Sequence, residues 1–481
     1  MSYTNARLSE YKNYIKGKTC AVLGVGISNI PLIRFLVENG AKVTARDKKT
    51  REQICKNNEL NIDELEKCGV KFINGEDYLC GLCEEIIFKT PGLRHDNEKI
   101  SDAYMRGAHV TSEMETFLAL CPSKIIAVTG SDGKTTTTTL ISEILKSAGK
   151  KVHLGGNIGK PLLYNVGNIN PDDFAVLELS SFQLHSINRF ENKGAPFSHV
   201  SFPDVAVVTN ISKNHLDWHT DYEEYIDSKR AIFKFIRPGG KLVTNIGNEI
   251  TAEFAKEAAD MNIPVELFSS KTDSGKYYCD AGAIYEDKTP ILLRSEIVLP
   301  GDHNAENYMA AIAATREYAD IECVRNVARS FSGVEHRLEF VRELDGVKYY
   351  NSSIDSSPSR TLAAIKSFAK SDEKNLLLIM GGYDKNIPYD CIGQEVCARA
   401  KAVFLCGNTA EKIKSAVENA ENFDASTKIF MCGDLKNAVL HAKDYAKAHD
   451  VVILTPASAS FDAFLNFEQR GRYFKDIVRS F

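Results

Sequence analysis

Short, nearly uninterrupted apolar runs alternate along the chain with longer stretches that are apolar on one face only. "TCAVLGVG" is followed by "IPLIRFLVENGAKV" and "AKVTARD". This order predicts a buried strand, a glycine turn, an amphipathic helix stopped at Gly40, and a second strand, which together make a βαβ unit. "EEIIFKTPG" adds a strand, and "AHVTSEMETFLAL" carries this first block to about Cys121. A second block opens on "SKIIAVTG", continues through "DFAVLELSS" and "DVAVVTNIS", and includes the turn and apolar-faced helix of "IVLPGDHNAENYMAAIAATREYA". A third block repeats one grammar, strand then small residues, in "NLLLIMGGYDK", "KAVFLCGNT", "KIFMCGD" and "DVVILTPASAS". Strands that read as continuous apolar runs belong to parallel sheets covered on both faces. The expected organisation is α/β, in blocks 1–121, 122–333 and 334–481. In such sheets ligands bind at the carboxyl ends of the strands.

The most chemically suggestive stretch is "VTGSDGKTTTTT", residues 128–139. Gly130, Ser131, Asp132, Gly133, Lys134, Thr135 and Thr136 stand between an apolar strand and a helix carrying Ile141, Ile144 and Leu145 on one face. Glycines there let backbone N–H groups converge on phosphate oxygens, and the helix amino terminus adds a favourable dipole. Lys134 would reach the β- and γ-phosphates, and Thr135 would coordinate Mg²⁺. The usual longer loop has an earlier glycine where this chain has Val128. An ordinary strand–turn–helix junction is the competing reading.

Three further positions carry charge where burial makes charge expensive. Glu178 closes the strand of "FAVLELSSFQ", where a carboxylate either faces solvent or is paired or metal-bound. His215 and Asp217 lie in the loop "NISKNHLDWH", a spacing that suggests zinc but lacks a third ligand. In "DYEEYIDSKRAIFKFI", Tyr222, Tyr225, Ile226, Ile232, Phe233 and Ile236 form one helical stripe, and Lys229 falls on it. A lysine so placed snorkels, pairs, or loses its charge. A neutral one could take up CO₂ as a carbamate and become an anionic oxygen ligand. In the first block, Gly24-Val-Gly26-Ile-Ser-Asn29 lacks the third glycine of a dinucleotide fingerprint, and Asp47 stands where a ribose-binding acid would.

Composition narrows the partners. The formal net charge of −5 argues against a nucleic-acid binder. No apolar run is long enough to span a bilayer, and "MSYTNARLSEYKNYIKGK" has no signal-peptide core. Twelve cysteines read as reduced thiols, and Cys80 with Cys83 has no second pair to complete a zinc site. The expectation is a soluble cytoplasmic protein.

Taken in order over essentially the whole chain, these segments resemble the Mur ligase family, most closely its D-glutamate-adding members. "GSDGKTT" matches that family's short phosphate loop, "LELSSFQL" its glutamate strand, "NISKNHLDWH" its histidine loop, and Lys229 its carbamylated lysine. The resemblance implies a Rossmann-like first domain for a UDP-sugar, a central domain like that of P-loop ATPases, and a Rossmann-like last domain for an amino acid. It implies a monomer acting on UDP-N-acetylmuramoyl-L-alanine, ATP and D-glutamate, with Mg²⁺ and the Lys229 carbamate, and no nucleic-acid or membrane partner. By the same resemblance Lys134, Glu178, His215 and Lys229 are catalytic, and metal is held by Thr135, Glu178, His215 and Lys229. Asn304 and Asn307 of "GDHNAEN" and Arg337 of "EHRLE" join the loop in binding ATP. Gly26, Ile27, Ser28, Asp47, Asn157 of "GGNIGKPL" and His215 face the UDP-sugar. Lys385 of "GGYDKNIP", with Ser460 and Phe467 of "TPASASFDAFLNFEQRG", faces the amino acid.

"YYNSSIDSSPSR" departs from the family pattern: Ser352 replaces an aspartate and Ile354 a substrate-binding lysine, with Asp355 nearby. A ligase for another amino acid, a nicotinamide-dependent oxidoreductase using Gly24 and Gly26, and a non-catalytic sugar-nucleotide sensor are the alternatives.

Overall fold

The computed structural model describes residues 3–26, 28–58, 62–190, 196–197, 199–299, 301, 303–368, 374–424 and 426–481. Its first sheet contains β1 (Thr19–Leu23), β2 (Lys42–Asp47), β3 (Lys71–Asn74), β4 (Ile86–Lys89) and β5 (His109–Thr111). All five run parallel in the order β3-β2-β1-β4-β5. The order reverses between β1 and β4, so a crevice opens there at the carboxyl ends. Gly24 holds φ +89° at that point, and a Cβ there would meet Thr90 at 3.3 Å.

The central sheet has nine strands: β6 (Lys124–Thr129), β7 (Val152–Gly156), β8 (Phe174–Glu178), β9 (Val205–Val208), β10 (Lys241–Asn245), β11 (Val265–Ser269), β12 (Tyr277–Asp280), β13 (Ala283–Glu286) and β14 (Thr289–Leu293). Their order is β14-β13-β12-β11-β10-β9-β6-β8-β7. β6, β8 and β9 are the buried centre, as their unbroken apolar sequences predict. β12 to β14 form an antiparallel ribbon that the apolar pattern did not single out. They are half-exposed and interrupted by Asp280 and Asp287, so no continuous hydrophobic run marks them.

The last sheet is built from β15 (Glu339–Leu344), β16 (Val347–Asn351), β17 (Leu376–Met380), β18 (Ala400–Cys406), β19 (Lys428–Gly433) and β20 (Val451–Leu454). Its order is β15-β16-β20-β17-β18-β19, parallel apart from the β15–β16 hairpin. The four strand-then-small-residue segments of the third block are β17 to β20. The backbone divides into two compact units, Met1–Arg294 with Ala305–Val327 and Ser295–Asn304 with Ala328–Phe481. The first two sheets share one unit, and the third sheet belongs to the other.

A buried polar cluster organises the carboxyl edge of the third sheet. The Arg470 guanidinium, 3 % exposed, donates to the carbonyls of Ser353, Ser458 and Ala459 and to Ser353 Oγ. It ties the loop after β20 to the end of β16. Beside it Asp355 Oδ2 accepts from Thr455 Oγ1 at 2.9 Å, with Ser352 as a second partner. Burial raises the Asp355 carboxyl to about 6 despite those hydrogen bonds. A folded-state pKa above the unfolded value means that proton uptake favours the native state, so Asp355 costs stability once pH rises past that value.

Asp355→Asn is therefore expected to stabilise the chain at pH 8 by on the order of 2 kcal/mol and to have no such effect below pH ~4. Urea unfolding of the two proteins at both pH values checks this. An equal loss of stability at both would show that the hydrogen bonds of the side chain outweigh the cost of its charge.

Candidate active site

The short loop after β6 is closed by side chains from three other segments. Gly130 has φ +145°, and a Cβ there would lie 1.9 Å from Thr209 Oγ1. Gly133 has φ +78°, and a Cβ there would lie 2.3 Å from Asn307 Oδ1. Only glycine serves at either place. Thr209 Oγ1 donates to the Asp132 carbonyl at 2.6 Å, and the Asp132 N–H donates to Asn210 Oδ1 at 2.9 Å. Ser131 Oγ hydrogen-bonds the Tyr225 hydroxyl at 2.7 Å and accepts the Ser212 N–H at 2.8 Å. Val128, where a longer loop would begin, is wholly buried within β6. The turn is complete from Gly130 onward.

Lys134 starts the helix Lys134–Ser147 and folds its ammonium back onto the Ser131 carbonyl at 2.8 Å. Gly133 gives that helix no side-chain cap. Thr135 is buried and Thr136 half-buried in the first turn, while the Asp132 carboxylate is exposed. An anion is favoured at such an amino terminus by the backbone amides and dipole, and Lys134 adds a full charge.

Glu178, at the carboxyl end of β8, is 2 % exposed. Its Oε1 accepts from Asn157 Nδ2 at 3.0 Å, and Oε2 has no hydrogen-bond partner among the described residues. The Asn157 N–H donates to the Glu178 carbonyl at 2.7 Å. Gly156 makes that approach possible, since a Cβ there would sit 2.1 Å from the Glu178 oxygen. A buried, half-satisfied carboxylate is costly unless a cation completes it. The donor set, hard oxygens beside a phosphate loop, fits Mg²⁺.

Lys229 projects from the helix Tyr222–Lys234 and is 2 % exposed. Its Nζ donates to the Gly130 carbonyl at 2.7 Å, lies 3.4 Å from Thr129 Oγ1, and stands 4.9 Å over the Tyr225 ring. The hydrogen-bond partners are a carbonyl and a hydroxyl, not a carboxylate. Burial first, and then the positive charge of Lys134, drive its pKa well below the ordinary value; Glu178 and Asp132 oppose this. The side chain does not snorkel. It is held inside, where burial disfavours its charged form.

His215 occupies an exposed turn with φ +53°, its ring 5.0 Å from that of Phe182. The N–H groups of Trp218 and His219 donate to its carbonyl at 3.1 and 3.0 Å. The buried histidine of this loop is His219, which the sequence pattern did not distinguish from its neighbours. Asn304 and Asn307 are both buried on the helix His303–Thr315, and Asn307 Oδ1 accepts from Thr137 Oγ1 at 3.2 Å. Thr209, Asn210 and Tyr225, which fix the loop, carried no motif; only the folded arrangement identifies them.

In the first sheet, Gly26 and Ser28 are exposed beyond β1, and Ile27 lies outside the described residues. Asp47 closes the glycine turn instead of standing open: its oxygens accept the Val25 and Lys49 N–H groups at 2.6 and 2.8 Å. In the other compact unit, Arg337 sits half-buried in a tight turn whose N–H donates to the Val334 carbonyl at 2.9 Å. Lys385 is exposed after β17. Ser460 is buried after β20, and Phe467 is half-buried with its ring edge-on to His336 at 6.0 Å. Among the described residues no group of three His, Cys, Asp or Glu forms a metal site on its own.

Comparison with known proteins agrees with this arrangement. Residues 128–315 match the Mur ligase middle domain, and residues 336–458 match the Mur ligase glutamate ligase domain. The chain is 46% identical to the UDP-N-acetylmuramoylalanine–D-glutamate ligase of Acetivibrio thermocellus, over 99% of each protein. It is 48% identical to the enzyme of the same name from Clostridium kluyveri, over 98% of each. Among solved structures it resembles UDP-N-acetylmuramate-alanine ligase MurC from Thermotoga maritima, with a TM-score of 0.56, 18% identity, and coverage of 96% of this chain and 99% of that one. It also resembles MurF from Acinetobacter baumannii, with a TM-score of 0.58, 16% identity, and coverage of 97% and 92%. Those two likenesses bear on the fold alone. The near full-length relatives exclude the oxidoreductase alternative, and the chain belongs to the Mur ligase family.

Proposed function

We propose that this chain is an ATP-dependent ligase that joins D-glutamate to UDP-N-acetylmuramoyl-L-alanine in peptidoglycan synthesis. The observation that carries the chemistry is the convergence of Lys134, the buried Lys229 amine and the half-satisfied Glu178 around one glycine loop. The substrates follow from the relatives, which share the named activity over nearly their whole length.

The loop Gly130–Thr136 would hold the ATP phosphates, and Lys134 would swing from the Ser131 carbonyl to the β- and γ-phosphoryl oxygens. Thr135 and Glu178 would hold one Mg²⁺, and His215 with carbamylated Lys229 a second; bound there, such ions would supply neutralisation of phosphate charge. Positioning and charge neutralisation supply most of the rate in such transfers. A carboxylate oxygen of the alanyl group attacks the γ-phosphorus, the bond to the β-phosphate oxygen breaks, and ADP departs. The D-glutamate nitrogen then attacks the acyl carbon, the carbon–oxygen bond to phosphate breaks, and the amine gives up a proton as the amide forms.

Asn157, tied to Glu178, is suited to align the sugar-nucleotide substrate with that carboxylate, and Gly26 and Ser28 with the crevice between β1 and β4 would take its UDP end. Asn304, Asn307 and Arg337 would complete the ATP site, and Lys385, Ser460 and Phe467 the amino-acid site. The protein would act as a cytoplasmic monomer. Among the described residues no helix is long and apolar enough to cross a membrane.

The neutral Lys229 amine is the form that adds to CO₂: nitrogen bonds to carbon, one proton leaves, and an anionic carbamate replaces the amine. That conversion places negative charge beside Lys134 and provides oxygen ligands in a place that disfavours an ammonium.

Phosphate release from ATP is expected only when UDP-N-acetylmuramoyl-L-alanine, D-glutamate and Mg²⁺ are all present. Equal release with L-glutamate, glycine or another amino acid in a coupled phosphate assay would contradict the substrate assignment. Lys229→Ala is expected to lower kcat at least a hundredfold, with partial recovery on adding acetate as a small carboxylate. Full activity in the unsupplemented variant would remove the carbamate role.

A further inference from the structure

The loop that follows β4 in the first sheet is tied to both helices that lead to the reacting groups. Lys89, the last residue of β4 and 2 % exposed, donates to Ser186 Oγ at 2.6 Å and to the Leu93 carbonyl at 2.9 Å. Ser186 closes the helix Ser181–Ser186, which begins three residues after Glu178. Trp218 Nε1 donates to the Gly92 carbonyl at 2.9 Å. Arg94 places a bidentate pair on Glu224, with bonds of 3.0 and 2.9 Å, and a third bond of 3.1 Å on the Trp218 carbonyl. Its guanidinium also lies 5.1 Å over the Trp218 ring.

Glu224 belongs to the first turn of Tyr222–Lys234, the helix that carries Lys229. The helix is capped by Asp221, whose Oδ1 accepts the Glu224 N–H at 2.8 Å, while the Glu224 carboxylate accepts the Thr220 N–H at 2.8 Å. That cap needs none of the carboxylate's other partners. Here the same carboxylate also takes Arg94 and His185 Nε2 at 3.2 Å, and His219 Nδ1 lies 3.5 Å away without a hydrogen bond to it. His219 Nε2 in turn meets Ser181 Oγ at 3.0 Å, and His185 Nδ1 meets His95 Nδ1 at 3.3 Å. The Arg94 guanidinium holds the Glu224 carboxyl well below the usual range, so the pair is fully ionised at neutral pH. Bidentate arginine–carboxylate pairs are geometrically specific, and a partly buried one is a stronger constraint than a surface pair.

The β4 end is one wall of the crevice between β1 and β4. We propose that Arg94 and Glu224 are positioning residues: through them the loop after β4 senses a uridine nucleotide in the first-sheet crevice and sets the helix that carries Lys229. The inference rests on the ligase reading for the identity of the reaction. The coupling itself rests on the pair and the two tethers beside it. A nucleotide against that wall holds the tied loop in place, Arg94 carries that hold to Glu224, and the helix keeps the Lys229 end group in register with Glu178. The sugar-nucleotide substrate thus takes part in assembling the site at which its own far end reacts.

The test uses the full chain and the variants Arg94→Met, Glu224→Gln and both together. At saturating substrates kcat is expected to fall at least tenfold in each single variant, while KM for ATP stays within twofold. The double variant is expected to lose no more than the worse single one, because the two residues act as one unit. A folded variant that keeps kcat within twofold of wild type would overturn the proposal and leave the pair a structural tie. If Arg94→Met does not fold, Arg94→Lys keeps the charge without the fork, and a partial loss of kcat is expected from it. Hydrogen exchange of residues 222–234 with and without UDP needs no turnover. UDP is expected to slow exchange in wild type and not in Arg94→Met; slowing in both, or in neither, would overturn the coupling. If the wild type releases no phosphate with UDP-N-acetylmuramoyl-L-alanine and D-glutamate, the ligase reading fails, and the exchange experiment still decides the coupling.

Discussion

A lysine amine held inside the protein against a backbone carbonyl is the constraint on which the site depends. Lys229 is buried, its nearest partners are the Gly130 carbonyl and Thr129 Oγ1, and Lys134 stands close enough to disfavour a second positive charge. An ammonium so placed, without a paired carboxylate, would cost several kcal/mol. The neutral amine costs far less and is reactive toward CO₂. Burial thus keeps the nitrogen free to add CO₂, and the carbamate proposed there would need the charge of Lys134 and a cation to offset its own.

That arrangement demands close backbone approach, which explains the glycines. Gly130 must let Thr209 reach across the loop, Gly133 must admit Asn307, and Gly156 must let Asn157 lie on the Glu178 carbonyl. Each stands at or just beyond the carboxyl end of a parallel strand, where apolar packing ends and polar groups from neighbouring strands can meet. Substituting any of them would strain a left-handed backbone, and at Gly156 it would also force a contact with the Glu178 carbonyl that no rotamer relieves. The Arg94–Glu224 pair extends the same logic outward, fixing the Lys229 helix from the first sheet.

Much of this was legible from residue order. Continuous apolar strands ending in small residues identify parallel sheets, and they located β1, β6, β8, β9 and β17 to β20. Lys229 was conspicuous because it interrupts a helical apolar stripe, and Glu178 because it ends a buried strand. The antiparallel ribbon β12–β14 was not legible, because its half-exposed strands have no unbroken hydrophobic run. Nor were Thr209, Asn210, Tyr225 and Glu224, whose roles come from contacts between distant segments. Asp47 has a further role that its spacing does not show: its oxygens hold the backbone amides of Val25 and Lys49. His215 was read correctly as a loop residue, but the buried histidine beside it, His219, escaped because nothing local distinguishes the two.

The state of the Lys229 nitrogen is accessible without turnover. ¹³C-labelled bicarbonate added to the purified full chain is expected to give one carbamate carbon resonance in the wild type, absent from Lys229→Met. A wild-type spectrum with no such resonance, or one that persists in the variant, would contradict the account of how this buried lysine is used.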